Sequence, residues 1–145
     1  MEAVFGIIFT VLIGVVMCAL LSLLFALFAQ WAMKFVVKRM PAYGKAYVVV
    51  FKITLIGFII SVLLQQVAML SPTMVFVTIP LNLIIWLGGY SYLYGIWFTH
   101  RHKPIGFVRG LLVNLVISLF AFVLGLIVAI PFFFLAVSQE MNSVQ

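Results

Sequence analysis

The residues of this chain best suited to chemistry lie together in Thr99-His100-Arg101-His102-Lys103, where two imidazoles alternate with two cations. Histidines at i and i+2 supply two nitrogens for a transition metal, but a stable site needs further Cys, His or carboxylate ligands. None is close in sequence: the single cysteine is Cys18, and the only acids are Glu2 and Glu140. The flanking cations would repel a metal ion further. The chemistry that suits such a cluster is anion recognition, with lipid headgroup phosphates or a partner's loop as counterparts. The same scarcity removes the usual constellations of catalysis. There is no nucleophile with a base and acid beside it in sequence, no pair of carboxylates for acid-base work and no phosphate-binding glycine loop. The chain is therefore expected not to be an enzyme, and to need neither metal nor cofactor.

The elements that hold this cluster are read from composition. Hydrophobic residues make up 68% of the 145 positions and charged residues 7%, far from the roughly 25% charge of soluble domains. Apolar runs long enough to cross a hydrocarbon core of about 30 Å occur over about 4–33, 47–70, 74–98 and 107–137. The expected fold is an all-α integral membrane protein, a four-helix transmembrane bundle forming one domain over 1–145. The first run opens Met1-Glu2-Ala3, and its first base is Lys34, beyond the apolar stretch. It lacks the basic start of a secretory signal and is expected to be retained as a helix.

Charge sets the expected topology. All eight bases lie in or beside two loops: Lys34, Lys38, Arg39, Lys45 and Lys52 around the first, Arg101, Lys103 and Arg109 around the third. The positive-inside rule puts both loops in the cytoplasm and both termini outside, so the chain reads as two hairpins with basic cytoplasmic loops, N-out and C-out. A bacterial inner (plasma) membrane is the expected location. The net charge of +6 has no extended basic domain behind it, so anionic lipids at the cytoplasmic face, and not nucleic acid, are the expected partners of these eight bases. The two loops rhyme loosely, "KRMPAYGKA" against "RHKPIGFVRG", as any basic hairpin with a proline would.

Within a bilayer, helices associate through close backbone approach and polar contacts, which favours small residues on one face. Each apolar run has such a stripe: Thr10, Gly14, Cys18, Ser22, Ala26 and Gln30 in the first, Thr54, Gly57, Ser61, Gln65 and Ala68 in the second. The third has Gly88, Ser91 and Gly95, and the fourth has Gly110, Asn114, Ser118, Ala121, Gly125 and Ala129. These stripes read as the mutual seams of the bundle; a second reading, compatible with the first, is that one is left over to dock another subunit. Gln65, Gln66 and Asn82 are the polar groups expected inside the membrane, with an amide contact between a glutamine and Asn82. Pro80 should free the Phe76 carbonyl inside the third helix, where nearby polar groups can re-satisfy it; a Pro-broken helix lining a substrate path is the alternative. Lys52 should snorkel toward the interface or meet Tyr92 or Tyr94. Tyr90, Tyr92, Tyr94, Trp97 and Phe98 read as an aromatic belt at the headgroup level.

No acid or imidazole lies at the centre of any run, so a proton relay is not expected. The function expected from these features is that of a small non-catalytic accessory, scaffold or assembly subunit, binding other membrane-protein subunits or itself through helix packing. The alternative is a homo-oligomeric channel or facilitator with its pore between protomers, lined by Asn82, Asn114 and the glutamines.

Overall fold

A computed structural model describes residues 2–70, 72–100 and 102–143, with side chains placed at 9, 11–69, 73–100 and 102–133. The chain is a multi-pass membrane protein. Four helices are long and apolar enough to cross a membrane, over Val11–Val37, Tyr43–Met69, Val75–Trp97 and Phe107–Phe133. They belong to α1 (Glu2–Val37), α2 (Tyr43–Leu70), the third span and α5 (Phe107–Ser143). The third span is composite: a 3-10 turn at Pro72–Met74 leads into α3 (Val75–Ile84), a π turn over Ile85–Gly89, and α4 (Tyr90–Trp97).

Two helix ends differ from the hydropathy reading. α1 runs on to Val37, so that Lys34 falls in its last turn, and α2 begins at Tyr43, ahead of Lys45. Helical hydrogen bonding continues past the point where residues turn polar, because a spanning helix can end in the headgroup layer. Lys38 then takes a left-handed φ of 56°, a conformation that commonly terminates helices.

Among the residues whose side chains are described, burial is concentrated toward the basic loops and reaches as far as Cys18 on α1 and Gly57 on α2. Ala26, Ala29 and Ala32 of α1 are fully enclosed, with Ala46, Val50 and Ile53 of α2, Phe98, and Val113 and Ile117 of α5 completing the core. Alanine allows helix backbones to approach and gain dispersion contacts that bulky side chains would prevent. The buried line on α1 runs Cys18, Ser22, Ala26, Ala29 and Met33. A strict four-residue step lags behind the 3.6-residue turn, so the line shortens one step to three to keep facing its neighbours. Gln30 therefore lies beside the seam, half-buried, and its Nε2 donates to Pro41 O at 2.8 Å, tying the first loop to α1.

The other basic loop is a small hairpin. β1 (Thr99–His100) pairs antiparallel with β2 (Lys103–Pro104), and His102 between them takes φ 66°. Ile105 N–H donates to Phe98 O and Gly106 N–H to Gly95 O, each at 3.1 Å. These bonds satisfy carbonyls at the end of α4 and turn the chain straight into α5. Gly106 adopts φ 84°, which a side chain would strain.

Candidate functional site

At the seam between α4 and α5 backbone meets backbone. A β-carbon built on Gly110 would run into the Ser91 carbonyl oxygen and lie 2.6 Å from Gly95 N, and one on Gly95 would lie 2.7 Å from Gly106 O. Both positions require glycine, because the obstructing atoms are backbone and cannot rotate away. One turn further along, Asn114 Nδ2 donates to Trp86 O at 2.8 Å and to Ser91 Oγ at 3.2 Å. Trp86 belongs to the π turn, whose wider winding loosens the carbonyl ladder. An amide from the neighbouring helix then supplies the donor that lipid cannot.

Of the residues expected to form seams, Cys18, Ser22, Ala26, Gly57, Ser91, Gly95 and Asn114 are buried, and Gly14, Ser118 and Ala121 are half-buried. Gly14 seats the Phe58 ring and Gly57 the Tyr90 hydroxyl. Cys18 Sγ donates weakly to Thr54 O at 4.0 Å, and the Ser22 hydroxyl returns to Cys18 O at 2.6 Å. Ser61 and Gly125 are exposed. Neither Gly88 nor Gly125 has any atom within 4 Å of a built β-carbon, so within this chain they are not packing positions. Thr10 and Arg101 lie outside the residues whose side chains are described. Ala29 and Ala32 form the heart of the core without belonging to the four-residue stripe; the combined three- and four-residue period would have revealed them.

The polar groups are also redistributed. Gln65, Gln66 and Asn82 are all exposed on the outside of the bundle, and the expected glutamine contact with Asn82 is not made among the described residues. α2 and α3 present these amides outward because none of the described residues around them is buried. α3 passes through Pro80 as helix, as the main reading has it and not the broken-helix alternative, and the third span departs from α geometry only later, in the π turn at Ile85–Gly89. Two adjacent glycines of low helix propensity, Gly88 and Gly89, make the later turn the easier one to widen. The aromatic belt divides in two. Tyr94 is 5% and Phe98 0% exposed, their rings stacked 5.9 Å apart in the core, whereas Tyr92 faces outward. Helical phase places positions 91, 94, 95 and 98 on one inward face. Lys52 meets neither Tyr92 nor Tyr94: its Nζ lies 5.7 Å from the Trp97 ring centroid.

Of the cavities between these elements, two carry polar residues in their lining. A central one of about 510 Å³ is walled by Phe25, Phe58, Trp86 and Tyr90, with Asn114 and Ser118 as its polar lining. A second, of about 220 Å³, lies at the basic end between the two loops, where Arg39 and Lys45 face Thr99, His100 and His102. Lys45 Nζ donates to Thr99 Oγ1 at 2.7 Å across this gap. No group of three or more metal-ligating side chains forms among the described residues. Lys34, Lys38 and Lys103 are exposed, as is Arg109, and stand as separate surface charges around the same end.

Comparison with protein-family models, with curated proteins and with solved structures found no match, so the function is read from this geometry alone.

Proposed function

We propose that this protein is a small non-catalytic accessory or assembly subunit of a bacterial inner membrane, binding other membrane-protein subunits or further copies of itself through helix packing. The observation that carries this reading is the amide of Asn82, which lies roughly 10 Å along its helix from Val75 at 1.5 Å per residue and is exposed with no hydrogen bond among the described residues. An unpaired amide facing lipid is costly, and a partner helix removes the cost. Gly125 offers that partner the close approach its own chain does not use. Asn114, committed inside the bundle to Trp86 and Ser91, is not available to line a pore between protomers, which favours the assembly reading over a channel.

Native mass spectrometry of the chain gently extracted from its own membrane tests this. A stable hetero-complex or defined homo-oligomer is expected, and both Gly125→Leu and Asn82→Leu should abolish it while the monomer stays folded. If Gly125→Leu leaves the complex intact and instead alters solute flux, that face borders water and the channel reading replaces this one.

A further inference from the structure

The pocket at the basic end has features that the assembly reading does not use. Arg39 follows the left-handed end of α1, Lys45 stands in the first turn of α2, and His100 and His102 come from the hairpin after α4. Bases from separate parts of the chain thus surround one space of about 220 Å³. That is about seven water volumes at roughly 30 Å³ each, room for a phosphate and its remaining hydration. No carboxylate neutralises this charge among the described residues. The only acids, Glu2 and Glu140, lie toward the opposite ends of α1 and α5, Glu2 roughly 50 Å from Lys38 at 1.5 Å per residue.

Unspent donors at this pocket suit an anionic occupant. Lys45 uses one N–H on Thr99 Oγ1 and retains two of the three that an ammonium carries. His100 lines the same space, and an imidazole can donate to an anion from a ring nitrogen that carries hydrogen. Guanidinium, ammonium and imidazole together match the several acceptor oxygens of a terminal phosphate.

We infer that Arg39, Lys45 and His100 form a binding site for a phosphate monoester, the shared chemistry of a phosphatidic-acid-type headgroup and of free inorganic phosphate. The site stands at the level where the spans end, so a lipid can present its headgroup there while its chains stay in the bilayer. It is a discrete site, distinct from the general attraction of surface bases to an anionic membrane, and it does not depend on whether the chain assembles with others.

The test is native mass spectrometry of the detergent-solubilised full chain with dihexanoyl phosphatidic acid, with dihexanoyl phosphatidylcholine as control and inorganic phosphate as competitor. The wild type should retain one phosphatidic acid and discriminate against phosphatidylcholine. Arg39→Gln, Lys45→Gln and His100→Phe should each weaken retention about ten-fold, the value of one charge-assisted hydrogen bond. Lys45→Arg should preserve it. Lys103→Gln, a base on the same hairpin outside the pocket, should have little effect. Displacement by inorganic phosphate at concentrations similar to the lipid's identifies free phosphate as the occupant, and resistance to a large excess identifies the headgroup. Equal retention of phosphatidylcholine, or a loss in Lys103→Gln as large as in Arg39→Gln, overturns the site.

Discussion

Asn114 holds two bonds with a single amide nitrogen, one to the π-turn carbonyl of Trp86 and one to Ser91 Oγ. In water the loss of such a side chain is softened because solvent takes its place. Among packed helices it leaves the Trp86 carbonyl without a donor. Asn114→Ala should therefore destabilise the bundle by about 1–3 kcal/mol. Ser118, whose hydroxyl only returns to Asn114 O within its own helix at 2.9 Å, offers the contrast. Ser118→Ala should cost about 0.5 kcal/mol or less, since that bond competes with the backbone ladder and crosses no interface. Reversible unfolding in bicelles, compared across the two variants, checks the difference. A loss in Ser118→Ala equal to that in Asn114→Ala would show that the inter-helix bond is not what matters.

Among the elements, α4 and α5 meet through glycine at Gly95 and Gly110, whereas α5 further along carries Gly125 with open space around it. Two glycines on one helix thus have opposite roles. Gly110→Ala forces its methyl against the backbone of α4, an overpacking expected to cost about 1–3 kcal/mol or more, and should lower the thermal unfolding midpoint in detergent. Gly125→Ala should leave that midpoint of the isolated chain near the wild-type value. Gly14 falls between these cases, because its obstruction is the Phe58 ring, a side chain that can turn. A Gly110→Ala variant as stable as wild type would mean that the α4–α5 seam is looser than its geometry implies.

The molecule as a whole is asymmetric along its spans: its bases gather at one end, and among the described residues most buried side chains lie toward that end. From the charge bias we propose that this end faces the cytoplasm, and single-cysteine labelling tests the orientation. In a Cys18→Ser background, which keeps a donor toward Thr54 O, Ser143→Cys should react with an impermeant thiol reagent on intact cells. Lys103→Cys should react only after permeabilisation. Labelling at 103 but not 143 reverses the topology, and with it the compartment from which free phosphate would reach the basic pocket.

Sequence alone determined that this chain crosses a membrane four times and where its charge lies, because hydropathy and charge bias act over whole helices and need no knowledge of neighbours. It also marked most of the inner seam, since Cys18, Ser22, Ala26, Ser91, Gly95 and Asn114 stand out as small or polar in an apolar background. Only the tertiary structure decided which marked residues are used at home. Gly95 and Gly125 look alike in sequence, yet one touches backbone and the other nothing, because helix phase and tilt are set by all the neighbouring spans together. The same holds for Lys52, whose aromatic neighbour proved to be Trp97, and for Tyr94, which packs inward and not at the headgroups. The basic pocket was the least legible feature. Arg39, Lys45 and His100 are up to 61 positions apart, and only the return of the chain at both loops brings them around one space.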